Sequence, residues 1–118
     1  MKENYKNLKC FECDQVVAVV VSFNDAKAII NCVDALINQV GSIIVVDNCS
    51  NDEHRSILKD IEYSYINITF IYLLSNFGIG AAINSGLAVI DDKKFNWVLT
   101  MDQDSVPSRN MVKAMLIE

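Results

Sequence analysis

Two acidic side chains, Asp102 and Asp104, are the residues of this sequence best suited to chemistry. They follow a continuous apolar run, 97–101, which is typical of a buried strand. Two carboxylates one residue apart at such a point are costly unless a positive partner joins them. Ligands of open α/β sheets bind outside the carboxyl ends of the strands, and Mg²⁺ is held by one or two carboxylates plus substrate phosphates. The pair therefore predicts a site for a divalent cation and a phosphorylated ligand; a strand-end turn before Pro107 is the alternative.

Alternating strands and helices must position Asp102 and Asp104. Apolar runs predict four strands, at residues 16–21, 43–46, 68–74 and 95–101, and apolar residues at helical spacing predict helices around 26–37, 57–61 and 83–90 and from Ser108 onward. This order predicts the α/β class, with a mainly parallel sheet and helices on both faces. Residues 1–15 are expected to form a leader outside the core, and 16–118 the domain.

Further polar and aromatic residues follow the other predicted strands, and parallel strands end at one edge of the sheet. An aromatic ring can stack on a base, a carboxylate can accept hydrogen bonds from a base or ribose, and the acidic pair can take a diphosphate through a metal. These residues predict a nucleotide crevice, with core, turn and helix-cap roles as the alternatives. They are Ser22, Phe23 and Asn24, then Asp47 and Asn48, then Asn76.

Other chemistries are disfavoured. Gly78 and Gly80 open a helix, but a dinucleotide fingerprint needs a third glycine where Ile83 stands, so these glycines are expected to allow a tight turn or a close backbone approach. His54, the only histidine, lies in the first turn of a polar helix and is expected to be solvated. Cys10 and Cys13 have C-x-x-C spacing but precede the first strand and lack a second pair, which argues against zinc and redox sites.

Composition narrows the class of protein. The 118 residues suffice for one domain, and 52% are hydrophobic. A net charge of −5 with scattered basic residues argues against nucleic-acid binding. No apolar stretch reaches the length of a membrane span, and the N-terminus lacks the apolar segment of a signal peptide. A cytoplasmic protein with reduced thiols is expected.

Four segments together resemble the inverting family 2 glycosyltransferases: residues 19–24, 44–50, 76–86 and 102–104. The Asp-Gln-Asp-Ser sequence and the Val-Asp-Asn turn look most like the rhamnosyltransferase-like branch. The resemblance implies the nucleotide-sugar-binding half of a GT-A fold, which uses Mg²⁺ or Mn²⁺. The implied donor is dTDP-rhamnose or a UDP-sugar, and the implied acceptor is a hydroxyl of a saccharide or of a lipid-linked molecule.

The resemblance also implies roles for individual residues. Phe23 matches the aromatic position near the base, and Asp47 matches the carboxylate that contacts the base. Asp102 matches the residue near the ribose and diphosphate, and Asp104 matches the metal-binding carboxylate. Asn48 departs from the family's pattern, in which this position is often an Asp. The other expected donor-binding residues are Ser22, Asn24, Asn76, Gly78 and Asn84.

The resemblance implies a general base in a C-terminal half of the family's fold, and that half is expected to be missing from this sequence. The chain is therefore expected to be a truncated donor-binding half that is inactive alone and self-associates through exposed apolar residues, in the cytoplasm or at the cytoplasmic face of a membrane through partners. A non-catalytic nucleotide-binding or assembly fragment is the alternative. A haloacid dehalogenase-type phosphatase is disfavoured, because its Asp-x-Asp motif should follow the first strand, whereas here it follows the fourth.

Overall fold

The computed structural model describes residues 11–117, which form one parallel sheet flanked by helices. The four strands are β1 (Val16–Ser22), β2 (Ser42–Asp47), β3 (Ile68–Tyr72) and β4 (Trp97–Asp102), in the order β3-β2-β1-β4. All the pairings are parallel. A 3₁₀ helix, Phe11–Gln15, precedes β1, and the helices are α1 (Ala26–Leu36), α2 (Asp52–Glu62), α3 (Ile79–Leu87) and α4 (Met111–Ile117). The predicted α/β class with a parallel sheet is confirmed.

Alternate residues of the central strands pack against opposite layers of helices. Ala18 and Val20 of β1 belong to the larger core, which includes residues of α1, α2 and α4. Val17 and Val19 face the other way, into a smaller core with Ala82 of α3. A β-branched run is buried on both faces here because helices cover both faces of the sheet.

Gly86 allows α3 to approach the sheet closely. A Cβ atom at this position would lie 2.8 Å from Cγ1 of Val19 and 3.1 Å from Cγ2 of Val46. Both distances are shorter than ordinary van der Waals contact, so a larger residue would push the helix outward. The glycine therefore fixes the depth at which α3 packs on β1 and β2.

Two side chains near the ends of β1 and β2 begin the next helices. Asp25 caps α1 by accepting a hydrogen bond from Ala28 N, and Asn51 caps α2 by accepting one from His54 N. His54 is half-buried, and its Nδ1 accepts a hydrogen bond from Ala26 N at 3.2 Å. The predicted solvated role of His54 is therefore wrong, because its ring satisfies a backbone donor in the first turn of α1.

The prediction that β4 is buried is also wrong. β4 lies at the edge of the sheet and pairs only with β1 among the described strands. Trp97 is 56% exposed and Val98 is 47% exposed. An apolar groove of about 330 Å³ runs beside β4 and includes Met115 and Leu116 of α4. The apolar run is half-covered because α3 packs on β1 and β2 rather than on β4.

Part of the predicted leader packs on the domain. Residues 1–10 lie outside the described part of the chain, but Cys13 of the 3₁₀ helix is buried in the larger core, so the leader does not lie wholly outside it. Cys13 is disulfide-bonded, which corrects the expectation of reduced thiols at this residue, whereas Cys32 and Cys49 are free thiols. Cys10 lies outside the described residues. Within residues 11–117, the helices are all too short or too polar to cross a membrane.

Candidate functional site

A crevice of about 340 Å³ lies at the carboxyl edge of the sheet. It is bordered by the ends of β1, β2 and β4, by the loop after β3 and by the start of α3. Parallel register brings these ends together, because Ser22 pairs with Asp47 and Val21 pairs with Asp102. The lining residues are Val21, Phe23, Asn48, Asn76, Ile79, Met101, Asp102, Gln103 and Asp104.

The two acidic residues of the Asp-Gln-Asp turn line this crevice and are exposed. The turn is closed by a hydrogen bond from Ser105 N to Asp102 O at 3.1 Å. Within residues 11–117, neither carboxylate pairs with a lysine or arginine. This end of the crevice therefore has two negative charges that the described side chains leave uncompensated.

The negative potential of this pair extends into the core below. Cys32 of α1 is fully buried, and its thiol contacts Asp102 O at a sulfur–oxygen distance of 3.8 Å. Burial, and then the negative charges of Asp102 and Asp104, together raise the pKa of Cys32 from 9.0 to about 11. This thiol stays protonated at neutral pH and acts as a packing residue beneath the turn.

Asn48 lines the crevice and has a buried acceptor without a partner among residues 11–117. The residue is only 4% exposed, and its Nδ2 donates to Oδ1 of Asn76 at 3.1 Å. Oδ1 of Asn76 also accepts from Gly78 N at 2.9 Å, which fixes the orientation of both amides. Oδ1 of Asn48 is left buried without a hydrogen-bond partner within residues 11–117. Buried acceptors are rarely unpaired, so this oxygen is suited to a donor supplied by a ligand.

Asp47 is engaged within the protein. It is 1% exposed, and its Oδ2 accepts from Ser50 N and from Nε of Arg55, each at 3.0 Å. Its Oδ1 accepts from the Ser50 hydroxyl. Arg55 also donates to Leu73 O at 2.7 Å. Asp47 therefore ties the loop after β2 to α2 and to the end of β3, and it is not among the lining residues.

The loops after β1 and β2 are tied to each other. Asn24 has a φ of 51°, in the left-handed region, where a non-glycine residue needs support from its surroundings. That support comes from Asn24 N, which donates to the Ser50 hydroxyl, and from Asn24 Oδ1, which accepts from Asn51 N, both at 2.8 Å. The network fixes the position from which the preceding residue, Phe23, enters the crevice.

The structure brings five of the predicted site residues together in the crevice lining: Phe23, Asn48, Asn76, Asp102 and Asp104. Five others lie outside that lining. Ser22 and Asp47 are buried behind it, Asn24 is engaged with the loop after β2, and Gly78 and Asn84 are exposed near the start of α3 and on it. Gly78 has a φ of 96°, the conformation for which a glycine is suited.

Sequence reasoning missed Gln103. Its Oε1 accepts from Phe23 N at 2.8 Å, and its Nε2 donates to Phe23 O at 3.1 Å. No local pattern indicates this contact, because the two residues are 80 positions apart. Within residues 11–117, no group of three or more His, Cys, Asp or Glu side chains could hold a metal by itself. A cation at the acidic pair would therefore need oxygens from a ligand or from water.

Comparison with known proteins identifies the class. In open α/β sheets, ligands bind in a crevice outside the carboxyl ends of the strands, which is where this crevice lies. The model of the family "Glycosyl transferase family 2" matches residues 17–117. The chain belongs to glycosyl transferase family 2. The curated proteins yield no significant match to this sequence.

Solved structures with the same fold include TarS and a mannosyltransferase. TarS of S. aureus, as its fragment 1–349, superposes with a TM-score of 0.70 at 22% identity, covering 87% of this chain and 31% of that one. The mannosyltransferase PcManGT of Pyrobaculum calidifontis, solved with GDP-Man and Mn²⁺, superposes with a TM-score of 0.67 at 20% identity, covering 81% of this chain and 29% of that one. This chain thus spans about a third of the length of these two solved chains, and the predicted GT-A fold is confirmed.

Proposed function

We propose that this chain binds the nucleotide-diphosphate sugar donor of a glycosyltransferase in the crevice at the carboxyl edge of the sheet. The observation that carries the proposal is the placement of Phe23, Asn48 and the Asp102–Asp104 pair around one cavity of about 340 Å³. The cavity is therefore polar at its acidic end and aromatic at Phe23. A nucleoside diphosphate matches this crevice, because its base, its sugar ring and its diphosphate follow one another along the molecule.

In this proposal the base lies against Phe23 and is recognised by Asn48. Phe23 is 42% exposed, and its ring can pack against the flat face of a base. The unpartnered Oδ1 of Asn48 can accept a hydrogen bond from the imide N–H of uracil or thymine. Asp47 was predicted to make this contact, but the three donors that already surround its carboxylate favour a supporting role.

A divalent cation fits the acidic end of the crevice. Asp102 and Asp104 are exposed there without a positive side chain from the described residues, so a diphosphate would meet net repulsion. Carboxylate oxygens are the ligands that Mg²⁺ and Mn²⁺ prefer, and phosphates and water complete the shell. We propose that these two residues hold the cation, which when bound supplies positive charge for the departing diphosphate.

The sequence supports a narrower proposal for the branch of the family, the donor and the acceptor. The Asp-Gln-Asp-Ser turn and the Val-Asp-Asn turn support the rhamnosyltransferase-like branch, with dTDP-rhamnose or a UDP-sugar as donor. We propose inverting transfer to a hydroxyl of a saccharide or of a lipid-linked acceptor in the cytoplasm. Mn²⁺ and GDP-Man in the mannosyltransferase structure belong to that protein, and they support a metal and a nucleotide-sugar here by analogy.

Calorimetric titration with nucleotides tests the proposal. With Mn²⁺ present, UDP or dTDP should bind more tightly than the corresponding monophosphate and more tightly than inorganic pyrophosphate, because only the nucleoside diphosphates engage both ends of the crevice. Asn48→Ala should reduce that advantage, because a hydrogen bond is worth about 1 kcal/mol, or about fivefold in affinity. Equal affinities for UDP, UMP and pyrophosphate in the parent protein would contradict a nucleotide-diphosphate site.

A further inference from the structure

Gln103 makes a reciprocal pair of hydrogen bonds with a single backbone residue across the crevice. Its side-chain oxygen accepts from Phe23 N at 2.8 Å, and its side-chain nitrogen donates to Phe23 O at 3.1 Å. The same reciprocal pattern joins directly opposed residues of antiparallel strands. The side-chain amide therefore takes the place of a backbone partner for Phe23.

Phe23 needs such a partner because the sheet ends before it. The β1–β4 pairing stops at Val21 and Asp102, and the chain then turns away from β1 at Ser105. On the β2 side, the next residue, Asn24, is held by Ser50 and Asn51. Gln103 supplies the restraint on the β4 side, so the loop that carries the Phe23 ring is held from both directions.

The identity of the residue matters for this contact. Only asparagine and glutamine carry a primary amide, which places an N–H donor and a carbonyl acceptor side by side, and asparagine is one methylene shorter. An ionised glutamate would offer acceptors alone, and it would add a third negative charge between Asp102 and Asp104. Glutamine at this position therefore matches the backbone of Phe23 in both polarity and reach.

We infer that Gln103 is a positioning residue that fixes the distance between the Phe23 wall of the crevice and the Asp102–Asp104 pair. This inference rests on the proposed function, in which the first wall contacts the base and the second holds a cation and diphosphate. A ligand that engages both walls benefits from their fixed separation. A ligand that engages only the acidic pair does not depend on the position of Phe23.

The test compares Gln103→Met with Asn38→Met in the full chain. Methionine approximates the length of glutamine without its amide, and Asn38 carries an exposed side-chain amide after α1, outside the crevice lining. UDP, dTDP and inorganic pyrophosphate are each titrated with Mn²⁺ by calorimetry, and amide hydrogen exchange is followed at Phe23 in the free protein. For Gln103→Met we expect about a tenfold loss of nucleotide affinity, the size of one or two ordinary hydrogen bonds.

Two further results are expected of the same variant. The affinity for pyrophosphate should stay within about twofold of the parent value, since the acidic pair is retained, and the Phe23 amide should exchange faster while the amides of β1 keep their protection. Asn38→Met should match the parent in each measurement. A parallel loss of nucleotide and pyrophosphate affinity would overturn the inference, because it would mean that the acidic turn itself is disturbed.

Other outcomes separate this inference from the proposed function. If the parent protein binds UDP or dTDP and Gln103→Met binds them equally well, the positioning role is wrong while the proposed function stands. Unchanged exchange at the Phe23 amide would likewise overturn the positioning role. If the parent binds neither nucleotide with Mn²⁺, the proposed function and this inference are both wrong.

Discussion

Replacing Asp47 by asparagine should destabilise the domain rather than remove a ligand contact. The buried carboxylate accepts hydrogen bonds from Ser50 and Arg55, and Arg55 in turn donates to Leu73 O. Asparagine keeps the shape and one acceptor oxygen but loses the charge. An amide nitrogen at the Oδ2 position would face two donors, Ser50 N and Nε of Arg55. With the nitrogen at the Oδ1 position, those donors would share a neutral carbonyl oxygen in place of a carboxylate.

The expected loss follows from the burial of the two partners. Breaking a fully buried ion pair by removing one partner costs about 3–5 kcal/mol. Asp47 is 1% exposed but the Arg55 side chain is 21% exposed, so water can partly solvate the remaining charge. We expect a loss of about 2–3 kcal/mol out of a total of about 5–15 kcal/mol. A domain of this size should then melt about 8–12 °C lower.

Urea unfolding of Asp47→Asn and of a matched control measures this loss. Asp60→Asn changes an exposed carboxylate of α2 and should stay within about 0.5 kcal/mol of the parent. A double-mutant cycle with Arg55→Met should give a coupling energy of at least about 1 kcal/mol between the two residues. An unchanged unfolding midpoint together with a loss of UDP or dTDP affinity would refute the reasoning and assign Asp47 to the base.

Two further predictions concern packing and pH. Gly86→Ala should lower the free energy of unfolding by about 1–3 kcal/mol in a urea titration, because its Cβ would lie 2.8 Å from a methyl group of Val19. The control is Gly80→Ala in the same helix, where no atom lies within 4 Å of the new Cβ, and it should raise the free energy of unfolding by up to about 1 kcal/mol. Equal effects of the two substitutions would contradict the packing argument. Burial, and then the hydrogen bond to Asp34, raise the pKa of Tyr65 from 10.0 to about 12, so its neutral form is favoured in the folded state. That stabilisation is complete below pH 10 and lost as pH rises toward about 12. The urea midpoint should therefore fall less between about pH 9 and about pH 11 in Tyr65→Phe than in the parent protein. An identical fall in both proteins would contradict the raised pKa of Tyr65.

Local patterns were enough to predict the α/β class and the order of its elements along the chain. Six consecutive apolar residues, 16–21, five of them β-branched, favour a strand covered on both sides, and β1 is that strand. The apolar run that became β4 has a similar pattern, yet β4 lies at the edge and is half-exposed. Whether a strand lies in the centre or at the edge of a sheet depends on tertiary packing. The pattern of residues within one strand does not indicate that position.

The candidate site could be predicted from the sequence only in part. Parallel strands that end together place Phe23, Asn48 and Asp102 at one edge, which the alternation of elements already implied. The supporting role of Asp47 depends on Arg55, eight residues later on the next helix, and the contact of Gln103 depends on a residue 80 positions away. Such hydrogen bonds arise from tertiary packing, and a single sequence does not indicate them.

Calorimetric titration of UDP and dTDP with Mn²⁺, and again with a chelator, is the most direct test of a metal-assisted donor site at Asp102 and Asp104. The parent protein should bind one or both nucleotides more tightly with Mn²⁺, because the cation relieves repulsion between the diphosphate and the acidic pair. Asp104→Ala should lose most of that difference, and Asp92→Ala, which removes an exposed carboxylate outside the crevice lining, should retain it. Equal affinity of the parent with and without metal would contradict the proposed site.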